Sequence, residues 1–341
     1  MKAMVLREYN KPLVLEEVEA PTIRAGEVLI NVKACGVCAS NVKYVEGAYP
    51  DVLRLPHILG HEPVGEVVRV GPGVHGIVKG DRVCVYIFIP CGECLYCGKG
   101  EENNCLHVNR IGMEVSGAYA EYIKAPARNI FKIPERVSYE EAAVLADAAA
   151  TSYHALRVKA DVRMGDDVAI MGVGSLGING VQIAKAAGAR VIAIDILPAK
   201  LEFGKEYGAD EAIDGRKEDA AGRIRSLTAG KGVDSFIDFV GSAESVRIGL
   251  GSLRRAGKLV VVGHDPYRPI QFMAFKDLVM EEAEIIGSHA STRQELREIL
   301  NLVQIGKLKP VIGARYPLSQ ANEAHEALKR GEILGRIVLL P

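Results

Sequence analysis

The segment Gly172-Val-Gly174-Ser-Leu-Gly177 limits the possible folds more than any other part of the chain. It follows a short apolar run, 168–171, and opens a helical pattern over 176–187. In a strand–turn–helix unit of this kind the first glycine permits the tight turn. The second lets a pyrophosphate approach the backbone, and the third lets helix and strand pack closely. N–H groups at the helix start supply donors for the phosphates. Asp195 closes the next strand-like run, 18 residues past Gly177. An acidic side chain there accepts hydrogen bonds from the adenosine ribose hydroxyls and repels the 2′-phosphate of NADP, so the pattern favours NAD. Spaced glycines alone are a weak signal, and a strand–helix turn without a ligand is the competing explanation.

The surroundings strengthen the motif. Strand-like runs at 190–195, 234–239 and 258–262 alternate with helical patterns at 198–207 and 243–254, as a parallel, doubly wound α/β sheet requires. The first third is different. Short apolar runs (28–32, 65–70, 82–89, 118–123) lie between Gly, Pro and Asp turn signals and predict a β-rich unit with no helical periodicity before Ser138. There Ser138-x-x-Glu141 predicts a capping box that opens an Ala-rich helix to about Arg157. Two further helices are expected at 294–304 and 320–330, the latter stopped by Gly331, and then a strand at 336–340.

Cys91, Cys94, Cys97 and Cys105 form the second strong signal. Four thiolates in one short loop can close a tetrahedral shell around zinc, leaving no position for water, and such a site is structural. Four thiolates also suit an iron–sulfur cluster, and unligated cysteines are the bland alternative. The chain has no signal-like apolar segment at its start. Its seven cysteines are therefore expected in a reducing, cytoplasmic setting, where metal binding is favoured over disulfides. With 42 basic against 43 acidic residues, no charge surplus points to a nucleic-acid or membrane-surface partner.

A third group is scattered: Cys38 in Cys35-Gly-Val-Cys38-Ala-Ser40-Asn41, and His61-Glu62 after Gly60. Cys and His suit a catalytic zinc, although spacing alone does not distinguish them from buried structural residues. Cys35 and Cys84, each in an apolar run, are expected to be plain core residues.

Taken with Gly60-His61-Glu62-Pro-Val-Gly-Glu-Val, Gly80-Asp-Arg-Val and Gly117-Ala-Tyr-Ala-Glu-Tyr, these motifs stand in one order across essentially the whole chain. In that order the chain resembles the zinc-dependent medium-chain alcohol dehydrogenase family. The resemblance implies a GroES-like catalytic domain (1–149, with a zinc lobe at 90–106), a Rossmann domain (150–287) and a return to the catalytic domain (288–341). It implies NAD and two zincs per subunit, one catalytic and one structural.

By the same resemblance Cys38 and His61 match catalytic zinc ligands, and the third ligand position, usually Cys, falls on Asp147. A carboxylate is a legitimate zinc ligand, and an unpaired one amid Ala and Leu would be costly; a surface Asp is the alternative. Glu62 matches a glutamate behind the metal. Ser40 matches the hydroxyl that relays the substrate proton, with Lys43 at the outer relay position. Asn41 falls where an Asp usually accepts the imidazole N–H, and an amide oxygen can do the same. Tyr49, Ile87 and His264 fall at substrate-pocket positions. Lys200 matches a residue that meets the ribose, and Arg336 one that meets the pyrophosphate.

The implied activity is reversible hydride transfer between NAD and a primary, secondary or cyclic alcohol, giving an aldehyde or ketone. The implied partners are a small alcohol or carbonyl substrate and further copies of the chain in a dimer or tetramer. The competing functions are a polyol, sugar or amino-alcohol dehydrogenase, a zinc-free quinone or enoyl reductase, and a non-catalytic structural paralogue.

Overall fold

The computed structural model of the chain describes residues 1–331 and 333–341. Backbone contacts divide it into two units. One comprises Met1–Asp147, Thr292–Gln304 and Pro310–Pro341, and the other Ala148–Ser291 with Ile305–Lys309. The second unit thus starts two residues before the expected boundary and takes back a short segment after the helix Arg293–Gln304.

The first unit is built around a largely antiparallel sheet. Its strand order is Ile130–Lys132, Arg82–Val85, Pro63–Val70, Glu27–Val37, Arg336–Leu340 and Ile312–Pro317, with Tyr122–Pro126 paired to Glu27–Val37. Alternation along Glu27–Val37 turns Val28, Ile30 and Val32 inward, where they meet Val67, Val83 and Ile123 in one apolar cluster. Each such aliphatic side chain, fully withdrawn from water, contributes roughly 1.5–3 kcal/mol.

Several helices, in this unit and at the start of the second, depart from the sequence expectation. A seven-residue helix, Ala39–Val45, follows directly on Cys38; it is too short to show periodicity in the sequence. The capping box at Ser138 forms as expected: Ser138 Oγ accepts from Glu141 N–H at 3.1 Å and Glu141 Oε2 accepts from Ser138 N–H at 2.8 Å. The helix it opens is not uniform, because Leu145–Ala149 and His154–Lys159 widen into π turns on either side of Ala150–Tyr153. Asp147 lies in the first of these, a type of irregularity that clusters at functional sites. The helix Ala321–Arg330 ends at Gly331, whose φ of 72° is the left-handed cap that glycine adopts without penalty.

The second unit is a six-stranded parallel sheet in the order Glu211–Asp214, Arg190–Asp195, Asp167–Met171, Val233–Asp238, Leu253–Val261, Glu284–Gly287. Numbered along the chain this order is 3-2-1-4-5-6, that of the doubly wound dinucleotide-binding fold. Helices Gly177–Ala186, Pro198–Glu206, Ala220–Leu227 and Ala243–Ser252 alternate with the strands. Sequence patterning missed both edge strands and Ala220–Leu227. These edge strands are four residues long, EAID and EIIG, and carry too few apolar positions to stand out. Among the described residues no helix is long and apolar enough to cross a membrane.

Candidate functional site

Strand register assembles a cluster of ionisable groups inside the first unit. Glu27–Val37 pairs with Pro63–Val70 so that Cys35 faces Pro63, and with Arg336–Leu340 so that Val37 faces Ile337. Cys38, His61, Glu62 and Arg336 therefore arrive together at one end of three adjacent strands. Gly36 is required there, because a Cβ would collide with the Glu62 carboxylate. Asp147 enters from the π turn.

One donor atom from each of Cys38, His61, Glu62 and Asp147 lies within 4.8 Å of all the others. His61 Nε2 is 3.7 Å from both Asp147 Oδ2 and Glu62 Oε1. Arg336, 2% exposed, donates from Nε to Glu62 Oε2 at 2.9 Å and from Nη2 to Glu62 Oε1 and, at 2.8 Å, to Asp147 Oδ2. Ser40 Oγ stands 3.6 Å from Cys38 Sγ. Burial opposes a charge on His61, but hydrogen bonds and charge from Asp147 and Cys38 outweigh it and push its pKa up to about 10. Burial raises the Cys38 thiol, yet Arg336 and His61 together hold it below its usual value. Burial raises Glu62 despite the guanidinium beside it. A thiol, an imidazole nitrogen and carboxylate oxygens converging on one point form a donor set that fits zinc.

Behind His61 the structure differs from the sequence expectation. Asn41 Oδ1 accepts from Cys38 N–H at 3.1 Å and from Tyr119 Oη–H at 3.3 Å, and its Nδ2 faces His61 Nδ1 at 3.4 Å. The amide thus turns its NH₂ rather than its oxygen to the ring. Tyr119 in turn meets His325 Nε2 at 3.3 Å. Sequence reasoning missed Tyr119 and His325 as members of this chain; Tyr119 lies inside the Gly117-Ala-Tyr-Ala-Glu-Tyr motif, but nothing in the sequence marks His325.

The four-cysteine lobe is equally ordered. Cys91 and Cys97 Sγ are 3.9 Å apart, Cys94 and Cys97 3.6 Å, Cys105 and Cys91 3.5 Å. A tetrahedron with Zn–S bonds of about 2.3 Å has edges of about 3.8 Å, whereas a disulfide needs about 2.05 Å. All seven cysteines are free. Backbone N–H groups of Cys97 and Leu106 push the Cys94 thiol down to about 6. The lobe's helix, Leu95–Gly98, buries no residue, so a metal held by the four thiols would supply cohesion that apolar packing does not.

The glycine turn of the second unit lies between Asp167–Met171 and Gly177–Ala186. Gly172 has φ of 89°, and a Cβ there would press on Val240. A Cβ on Gly177 would collide with the Gly172 carbonyl. A Cβ on Gly174 would meet nothing within 4 Å, so no protein atom demands that glycine, and the open space suits an approaching pyrophosphate. Asp195, 8% exposed, accepts N–H bonds from Val173 (2.8 Å), Ile196 (2.7 Å) and Leu197 (3.1 Å). A carboxylate has about four acceptor sites, so capacity remains for a ribose hydroxyl.

Residues 24–135 match the alcohol dehydrogenase GroES-like domain, and residues 175–304 match the zinc-binding dehydrogenase domain. An alcohol dehydrogenase of Geobacillus stearothermophilus is 40% identical, with 99% of each chain covered. An NAD-dependent alcohol dehydrogenase of Sulfurisphaera tokodaii is 35% identical over the whole of both chains. The crystal structure of the alcohol dehydrogenase from Aeropyrum pernix, 35% identical, superposes with a TM-score of 0.94 over 100% of each chain. The chain belongs to the zinc-dependent alcohol dehydrogenase family.

The dehydrogenase distributes its other expected site residues over both units. Lys43 and Tyr49 lie on and just after the helix Ala39–Val45, and Tyr49 meets the Tyr44 ring edge-on at 5.7 Å between centroids. Ile87 is buried in the same unit. His264 belongs to the dinucleotide-binding unit and is exposed after Leu253–Val261; Lys200 is half-buried on Pro198–Glu206. Arg336, matched to the pyrophosphate position, has its guanidinium on Glu62 and Asp147.

Proposed function

We propose that the enzyme interconverts alcohols with aldehydes or ketones using NAD, with a catalytic zinc held by Cys38, His61 and Asp147 and a structural zinc held by Cys91, Cys94, Cys97 and Cys105. The observation that carries this reading is the convergence of Cys38, His61, Glu62 and Asp147 within 4.8 Å beside the hydroxyl of Ser40. Zinc in that position supplies the Lewis acidity that polarises an alcohol oxygen and lowers its pKa. NAD supplies the hydride acceptor.

The protein's own part is to move a proton and hold the charges. Ser40 opens the helix Ala39–Val45 beside Cys38, where its hydroxyl can take the alcohol proton. Lys43 follows at i+3 on the same helix and is the next group outward. Glu62 contributes negative charge from behind, locked by Arg336. Tyr49 and Ile87 shape the substrate side of this unit. Gly172, Gly174 and Gly177 cradle the pyrophosphate, and Asp195 with Lys200 meets the ribose.

The test is a rate screen with NAD and NADP over primary, secondary, cyclic and polyol alcohols, with metal analysis on the same sample. Turnover with NAD and two zincs per chain is expected. Equal use of NADP overturns the role of Asp195, and no turnover with any alcohol overturns the reading. Asp195→Gly should weaken NAD about tenfold and improve NADP use, because a repulsive charge at the 2′ position is removed.

The dehydrogenase also functions as a homo-oligomer in this proposal. Among the described residues Glu284–Gly287 has a partner strand on one side only, and Tyr267, Met273, Phe275, Val279 and Met280 near it in sequence are each more than half exposed. A second copy covering that edge explains how it avoids uncontrolled pairing. Sedimentation should show a dimer or tetramer, and a monomer at micromolar concentration overturns this. A cytoplasmic setting belongs to the same proposal, because thiolate metal sites such as the two that use Cys38 and Cys91, Cys94, Cys97 and Cys105 suit a reducing compartment.

A further inference from the structure

We infer that Arg336 is a positioning residue of the metal centre: a built-in cation that shares Asp147 with the metal, keeping the metal-free cluster folded and lowering the metal's affinity. This rests on Asp147 being a ligand, as proposed above.

Glu62 is fully buried and the Asp147 side chain is only 12% exposed, so neither can be left without a cation at low cost. Arg336 serves both through the bonds already described, and at 2% exposure its charge is little screened by solvent. With Cys38 a thiolate and His61 neutral, as metal ligands must be, the two carboxylates and the guanidinium leave a net charge of minus two, which one divalent ion neutralises. Glu62 is thus balanced by Arg336, and the ion by Cys38 and Asp147.

Geometry supplies the competition. The Asp147 oxygen that Arg336 holds at 2.8 Å is Oδ2, the same oxygen that stands 3.7 Å from His61 Nε2 on the ligand side. An oxygen already accepting a charged hydrogen bond gives less electron density to a metal, and the two cations repel each other. Each must therefore weaken the other's hold on Asp147, by reciprocal linkage. A thiolate at this position would accept such a bond poorly, so the arrangement belongs to the carboxylate this chain carries.

The experiment follows zinc release from loaded enzyme into excess chelator, with thermal unfolding of the metal-free protein beside it. Arg336→Met should slow release from the catalytic site about tenfold, within the usual range of such couplings, while release from the four-cysteine lobe stays unchanged. Metal-free Arg336→Met should unfold at a lower temperature than metal-free wild type. Arg336→Lys should fall between. If Arg336→Met does not fold, Arg336→Met with Glu62→Gln removes one charge of each sign and is measured against Glu62→Gln alone, with the same slowing expected. In an Asp147→Cys background the Arg336→Met effect on release should shrink to less than about twofold. Release that is unchanged or faster in Arg336→Met overturns the inference, and if NAD binding alone weakens, Arg336 is a phosphate ligand. Retention of both zincs by Asp147→Asn instead overturns the ligand assignment on which the inference rests, so the two failures are distinguishable.

Discussion

His61 Nε2 and Asp147 Oδ2 lie 3.7 Å apart inside the first unit. Two ligands on a tetrahedral zinc, with bonds of about 2.0–2.1 Å, are separated by about 3.4 Å. The pair needs to close by only a few tenths of an ångström to share an ion. Asp147→Ala should remove the catalytic zinc and the activity and leave the four-cysteine zinc in place. Asp147→Cys should restore metal binding. Metal analysis showing two zincs in Asp147→Ala sinks the assignment.

The glycines of the phosphate turn should separate stability from binding. Gly174→Ala adds a Cβ to open space, so unfolding should change by less than about 0.5 kcal/mol while NAD affinity drops about tenfold. Gly177→Ala drives a Cβ into the Gly172 carbonyl and should cost about 1–3 kcal/mol of stability. Calorimetry and nucleotide titration on both variants check this. Equal effects of the two substitutions on stability would contradict it.

Cys94→Ser should release the structural zinc and lower the melting temperature by about 5 °C or more, since the lobe helix buries nothing of its own. The catalytic zinc should stay. Lost turnover with an unchanged melting temperature would make the lobe catalytic instead.

His325 should contribute to acid sensitivity. Burial, with Lys329 assisting and Glu326 opposing, lowers its pKa from 6.5 to about 4. Between those values the unfolded chain binds the proton and the folded chain does not, so stability is full above about pH 6.5 and is lost as pH falls towards 4. The total is about 3 kcal/mol at most. His325→Gln keeps a partner for Tyr119 and removes the titration, so its urea midpoint should fall less between pH 7 and 4.5 than that of the wild type. Parallel curves would assign the acid sensitivity to other groups.

Legibility followed the range of the interactions. Arg190–Asp195 and the Ser138 capping box were readable because a short run of apolar residues or a pair three residues apart carries its own signal. The helix Ala39–Val45 was not, although it carries Ser40, Asn41 and Lys43, because two turns are too few to establish a period. The π turn around Asp147 was hidden in an alanine-rich run, where helix propensity is uniform and no residue announces the widening.

The sequence by itself determined the two local sites: four cysteines within one loop, and three glycines between a strand and a helix. In both, the residues that make the site are neighbours along the chain, and short-range geometry suffices. The family resemblance named Cys38, His61, Glu62 and Asp147 as one centre, but only tertiary structure showed Arg336 bonded to its two carboxylates. Cys38, His61, Asp147 and Arg336 come from separate segments, and their meeting depends on the register of Glu27–Val37 with its two partner strands. A one-residue slip in that register would turn Arg336 to the opposite face of the sheet, away from Glu62 and Asp147, because side chains alternate along a strand.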